Sequence, residues 1–256
     1  MNHPHQTAVC CTLLLLALRT YSAPIATSQI TTDYPSVDAV FSFEGSGTAD
    51  NIMQFITSYI RVETDEITPQ ENTLDGFGTL SNSVTGASAL AEADRMSILN
   101  NTETDRFPGA ANSTSMTTAL SYFNVENVNT VSFSANMETT MHLVTESSDE
   151  YAYAYVEQSL GLYRVENNQV TLLDEYHYFD EQGVTDGESY DATGSSVLNL
   201  YYDFGDSPFT GQLFIEGIAM AYTDVQGQAA AVPEPGIPGL LLLGMVGIAW
   251  KRKRRG

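Results

Sequence analysis

Residues 151–165 read YAYAYVEQSLGLYRV, Asn167 and Asn168 follow, and residues 170–179 read VTLLDEYHYF. Tyrosine at every second position from 151 to 155 has the period of a strand, not of a helix. Paired asparagines tolerate the left-handed backbone that a tight hairpin needs. The two stretches therefore read as strands, Ala152–Val165 and Val170–Phe179, joined at Asn167-Asn168. Working outward, further strands are expected at Thr117–Phe123, Thr130–Thr145, Ser196–Phe204 and Gln212–Asp224. Short turn-rich connections without alternation of strand and helix predict a mainly β fold, an antiparallel β-sandwich that is jelly-roll-like.

Toward the N-terminus the pattern weakens. Ser36–Glu44 alternates as a half-buried strand should, and Asp50–Glu63 (DNIMQFITSYIRVE) is read as a strand on its β-branched and aromatic content. Residues 64–116 carry turn signals at Pro69, Asp75-Gly76 and Gly78. Ala87–Leu99 (ASALAEADRMSIL) is expected to form one short helix capped by Ser88, and NNTETDRFPGAANSTS after it is expected to be a long polar loop. Tyr122, Phe123, Phe133, Tyr153, Tyr155, Tyr163, Tyr176, Tyr178, Tyr201 and Phe214 are candidates for the core or its rim.

The two ends differ from the body. Ala8–Leu18 reads AVCCTLLLLAL before Arg19, an apolar run too short to span a bilayer comfortably but suited to a secretory signal peptide over residues 1–26. Small residues at Ser22, Ala23 and Ala26 place cleavage within 22–26. Both cysteines, Cys10 and Cys11, belong to that stretch, so the mature body would hold no thiol or disulfide. Residues 27–225 form the secreted domain, and 226–231 (QGQAAA) a small-residue spacer.

Residues 232–236 then read VPEPG, 237–250 read IPGLLLLGMVGIAW, and 251–255 read KRKRR. Pro233 and Pro235 stiffen an extended backbone around Glu234 and remove two amide donors, a shape suited to threading into a processing enzyme. As a single hydrophobic helix the next 14 residues would cover roughly 21 Å of a ~30 Å hydrocarbon core, so this transmembrane segment is a marginal, transient anchor in the inner membrane. Lys251, Arg252, Lys253, Arg254 and Arg255 act as a stop-transfer block on the cytoplasmic side, which leaves the body outside.

This order of parts over residues 232–256 resembles the PEP-CTERM sorting domain of Gram-negative bacteria. The resemblance implies an exosortase as partner, cleavage near the Pro-Glu-Pro motif, and a host that makes exopolysaccharide. It also implies a mature product at the cell surface or in the biofilm matrix. Pro233, Glu234 and Pro235 would then be recognition residues of a substrate and not catalytic groups.

The whole chain has 32 acidic and 10 basic residues. Between the two terminal segments only Arg61, Arg95, Arg106 and Arg164 remain against 31 carboxylates, a net of −27 with no lysine. Such a body repels phosphate backbones, which argues against nucleic acid as a partner.

Tyr151, Tyr153 and Tyr155 share one face of their strand. Facing outward they would offer a carbohydrate contact, for exopolysaccharide or another glycan; facing inward they would be core. Asp180, Asp186, Glu188 and Asp191, within an acidic run that includes Asp174, Glu175 and Glu181, are candidates for calcium, although EF-hand spacing is absent. Paired carboxylates also invite a glycoside hydrolase reading, but no pair stands out among so many acids. His142 and His177 are the body's only histidines, too few for three-histidine zinc, and no nucleophile elbow or phosphate loop is present. The reading is an exported, non-catalytic surface protein without a required cofactor.

Overall fold

The computed structural model describes residues 23–33, 48–94, 97–106 and 108–227. The expected strand at 36–44, the signal peptide up to residue 22, and the C-terminal segment from residue 228 onward lie outside the described residues, with the Pro-Glu-Pro motif, apolar run and basic block.

Twelve strands follow one another: β1 (Ile25–Asp33), β2 (Thr48–Thr64), β3 (Ile67–Asp75), β4 (Gly78–Val84), β5 (Ala87–Ala93), β6 (Ser97–Thr104), β7 (Gly109–Val128), β8 (Thr130–Val144), β9 (Glu150–Glu166), β10 (Gln169–Thr185), β11 (Ser189–Asp203) and β12 (Phe209–Gly227). They build two six-stranded sheets, β11-β8-β1-β6-β5-β4 and β10-β9-β12-β7-β2-β3, and every pairing is antiparallel. The chain stays within one sheet at β2–β3, β4–β5, β5–β6 and β9–β10 and crosses between sheets at its other connections. That repeated crossing makes the sandwich, as the sequence predicts. The β9–β10 hairpin turns at Asn167 and Asn168 with φ of 52° and 60°, the left-handed pair of a type I′ turn.

Between residues 87 and 115 the expectations of a helix and a polar loop are overturned. Ala87, Ala89, Ala91 and Ala93 all point inward from β5 and are buried. Alanine favours helices in isolation, but here the period of two and the tertiary setting prevail, because small side chains are needed where the sheets approach closely. Asp94 closes the β5–β6 turn, accepting the Ser97 amide at 2.7 Å. The supposed loop is β6 and the start of β7.

The interior explains why that segment looked like a loop. One apolar cluster gathers Ile30, Phe123, Phe133, Leu160, Leu198 and Leu213. A second, richer in alanine, gathers Ala26, Ile60, Leu143, Ala152, Ala154 and Val225. Between them runs a polar seam. Inward positions read Ala26, Ser28, Ile30 on β1; Ile56, Ser58, Ile60 on β2; Met137, Thr139, Met141 on β8; and Ala221, Thr223, Val225 on β12.

Asn100 of β6 sits in the seam, fully buried. Its Nδ2 donates to the Ala219 carbonyl across the sandwich at 3.2 Å, while its Oδ1 accepts from Ser115 at 2.9 Å and Thr117 at 3.0 Å. Ser28 donates across to the Tyr222 carbonyl at 3.0 Å, and Ser115 to the Leu90 carbonyl at 2.6 Å. A buried polar group costs little when its partners are in place and much when they are removed.

Replacing Asn100 by alanine removes three buried hydrogen bonds at once, one to the Ala219 carbonyl and two from the Ser115 and Thr117 hydroxyls. It is expected to destabilise the protein by about 2–4 kcal/mol in urea unfolding. Asn101→Ala, one position along on the outward face, is expected to change stability by less than about 0.5 kcal/mol. Equal effects of the two would contradict the strand and its orientation.

Candidate ligand-binding face

Alternation along β9 decides the fate of the tyrosine stripe. Ala152, Ala154 and Val156 point inward and are fully buried, so Tyr151, Tyr153 and Tyr155 stand half-buried on the outer face of the second sheet. The inward, core alternative is thereby removed. Tyr151 and Tyr153 lie with ring centroids 6.3 Å apart and planes 12° from parallel, and Tyr153 meets Tyr155 edge-on at 6.2 Å.

The register adds neighbours that the sequence reading missed. Tyr222 of β12 pairs with Tyr155 and stacks on it at 5.0 Å. Phe179 of β10 packs on Tyr155 from the other side at 5.6 Å. A second aromatic row crosses the same face farther along: Tyr163 stacks on Phe214 at 4.6 Å, Phe214 meets Tyr122 at 5.2 Å with the planes tilted by 33°, and Phe55 meets Tyr122 edge-on at 6.2 Å. Gly161 makes room for that row, since a Cβ there would meet the Tyr163 ring at 2.6 Å.

The outer face of the first sheet has a different character. Its central strands present Thr27, Gln29 and Thr31 from β1 and Ser134, Asn136 and Thr140 from β8. Among the described residues only the second sheet carries an aromatic wall.

Carboxylates are set into that wall. Glu181 accepts the Tyr153 hydroxyl at 2.6 Å. Asp224 pairs in register with Tyr153 and stands two residues from Tyr222 on the same face. Burial raises the Asp224 carboxyl above its ordinary range, against a smaller lowering by its hydrogen bond with Gln226. Burial also pushes the Tyr222 hydroxyl up to about 12, with the Asp224 charge adding to it. Tyr153 is raised further, by burial first and then by its bond to Glu181.

At the end of the ladder Tyr151 borders an open depression of about 580 Å³, together with Asp65, Asp149, Glu150, Thr185 and Gln226. Glu150 is 2% exposed. One of its oxygens accepts the amides of Glu146 at 2.5 Å and Ser147 at 3.2 Å, and the other has no partner. Among the described residues it is the one fully buried carboxylate.

The remaining candidates are placed apart. Asp180 lies on β10 in the second sheet, and its carboxylate accepts the Tyr178 hydroxyl at 3.5 Å. Asp186 occupies the β10–β11 turn with φ of 59°, and Glu188 follows it. Asp191 lies on β11 in the other sheet, 2.5 Å from His142 Nδ1. Among the described residues no three His, Cys, Asp or Glu side chains are grouped to hold a metal ion. His177 stands 3.1 Å from Glu157 across the β9–β10 pair.

Of the aromatic candidates for core or rim, Phe123 and Phe133 are buried, and Tyr176 and Tyr178 pack inward against the same apolar cluster. Tyr201 is a correction: it is 57% exposed on the outer side of β11, since the alternation that buries Leu198 and Leu200 turns it outward. Tyr222 and Asp224 carried no local signal, because only the β9–β12 register brings them beside the stripe.

The raised carboxyl gives a prediction with a defined sign. The folded protein holds the Asp224 proton more tightly than the unfolded chain does. Stability from that proton is present at low pH and is lost as pH rises through the ordinary carboxylate range to the raised folded value. Asp224→Asn is therefore expected to raise the urea midpoint at neutral pH and to leave it unchanged near pH ~3. A lower midpoint at neutral pH would contradict the desolvated setting of Asp224.

Comparison with curated proteins finds no match. Among solved structures, the chain is similar to the cowpea mosaic virus top component at 9% identity, over 81% of this chain and 82% of that one, with a TM-score of 0.14. It is similar to TmCBM61 in complex with β-1,4-galactotriose at 11% identity, over 38% of this chain and 66% of that one, with a TM-score of 0.12. Likenesses at that level carry neither a shared fold nor a shared ligand. The family comparison is specific and agrees with the order of stiff motif, apolar run and basic block read from the residues: over residues 231–255 the chain carries a PEP-CTERM protein-sorting motif.

Proposed function

We propose that the protein is exported across the inner membrane and held there briefly by residues 237–250. In this reading an exosortase recognises Pro233, Glu234 and Pro235 and cleaves near them, leaving a non-catalytic β-sandwich at the cell surface or in the exopolysaccharide matrix. The observation that carries this is the sorting motif at residues 231–255. The position of β12 supports it. That strand is described as far as Gly227, so cleavage near the motif would leave all twelve described strands whole. The other end sets a similar limit. β1 begins at Ile25, and Ala26 is fully buried, so signal-peptide cleavage early in the 22–26 window keeps β1 whole.

A second element of the proposal concerns what the body does there. The outward ladder of Tyr151, Tyr153 and Tyr155, backed by Tyr222 and Phe179, supports binding of carbohydrate. Sugar rings present C–H faces that pack on aromatic rings, and the flanking carboxylates and Gln226 can accept their hydroxyls.

Intact-mass analysis of the product from an exosortase-bearing host tests the sorting. The wild-type product is expected to lack both the N-terminal signal and the Lys251–Arg255 tail, and Glu234→Ala is expected to retain the tail. A wild-type product that keeps its basic tail would overturn exosortase processing. For the ligand, Tyr153→Ala is expected to weaken glycan-array binding by about tenfold or more, and undiminished binding would remove the carbohydrate assignment.

A further inference from the structure

The environment of Asp224 narrows the class of glycan, an inference that rests on the carbohydrate reading above. Asp224 projects from β12 into the aromatic ladder. Tyr153 faces it in register, Tyr151 faces Gln226 one pair along, and Tyr222 precedes it on the same face. The charge of Asp224 is felt at both Tyr151 and Tyr222. The carboxylate is thus half-buried among three tyrosine rings.

The described arginine and histidine side chains of the body are committed to other carboxylates. Arg61 holds Glu63 at 2.6 Å and approaches Glu71 at 3.7 Å. Arg106 holds Asp65 at 2.6 Å and Glu66 at 2.8 Å, and His177 faces Glu157. Among the described residues no arginine or histidine forms an ion pair with Asp224. A neutral sugar placed here would offer the carboxylate hydroxyl donors but no opposite charge. An ammonium group would satisfy both parts of the site at once: its charge pairs with the carboxylate, and its N–H and C–H edges meet the electron-rich faces of the rings.

We propose that the Tyr151–Tyr153–Tyr222 surround of Asp224 receives the protonated primary amine of an amino-sugar unit. The ligand is then a cationic glycan carrying free amines, such as a de-N-acetylated glucosamine polymer. The succession of rings along β9 from Tyr155 to Tyr151 favours a chain of sugar rings over a basic peptide, because it offers aromatic surface to consecutive units, while Glu181 is already engaged by the Tyr153 hydroxyl. A net charge of −27 on the body attracts any polycation weakly, so the test depends on changing a single carboxylate.

The exported protein as recovered from its host is titrated calorimetrically with a glucosamine hexamer, its fully N-acetylated counterpart, a glucose hexamer and hexalysine. Wild type is expected to bind the glucosamine hexamer at least about tenfold more tightly than each of the other three. Asp224→Asn is expected to bring the two amino-sugar hexamers within about twofold of each other, whereas Glu92→Gln, on the outer face of the first sheet, keeps the preference. Equal wild-type affinity for the free and acetylated hexamers would overturn the amine site and leave carbohydrate binding standing. A preference that persists in Asp224→Asn would overturn the assignment to Asp224, and equal binding of hexalysine would overturn the glycan. Binding of none of the four would remove this inference, and the carbohydrate reading would then rest on the glycan array alone.

Discussion

Close approach of the two sheets is the constraint from which the rest of this molecule follows. Ser28, Asn100 and Ser115 each donate a side-chain hydrogen bond to a backbone carbonyl of the opposite sheet, which is geometrically open only where the facing positions are small. The alanines of β5 and of β9 meet that demand. Without a disulfide to restrain it, the body relies on apolar burial at the two clusters and on the hydrogen bonds of Ser28, Asn100, Ser115 and Thr117 between them. The directional seam also specifies one register: a strand displaced by two residues would keep its inward face but bring hydroxyls against apolar side chains.

Register in turn creates the aromatic face. Tyrosines on β9 are brought beside Tyr222 and Asp224 of β12 and Phe179 of β10 only because these three strands are neighbours in one sheet. The small inward residues that let the sheets approach alternate with the large outward ones. Ala152 and Ala154 are thus the structural counterpart of Tyr151, Tyr153 and Tyr155. Ser, Thr and Asn prevail on the outer face of the other sheet's central strands, so the stacked aromatic rows lie on one side of the described sandwich.

Several elements were legible without coordinates. Strands β8, β9, β10 and β12 showed in alternation and in β-branched or aromatic content, and Asn167-Asn168 identified its hairpin because few residues tolerate that backbone. β5 and β6 were misread for definable reasons. Alternating alanine looks like helix when only propensity is weighed, and Asn100, Thr102 and Ser113 look like loop when polarity is equated with exposure. In each case the local preference was overridden by a partner distant in the chain. Tyr201 misled in the opposite sense, its ring being large and apolar enough to suggest the core or its rim while its strand turns it to solvent.

The sorting motif was readable from sequence alone because it consists of short-range properties: a proline-stiffened backbone around Glu234, a continuous apolar run, and five consecutive cations. None needs a distant residue to acquire its meaning. The character of the fold was similarly local, since strand period and turn chemistry act over a few positions. Which face the tyrosines occupy, and that a carboxylate seventy residues farther along stands among them, depends on the pairing of β9 with β12 and the stacking of one sheet on the other. Those are long-range choices, decided by which surfaces pack with their hydrogen bonds satisfied, and only the tertiary structure made them.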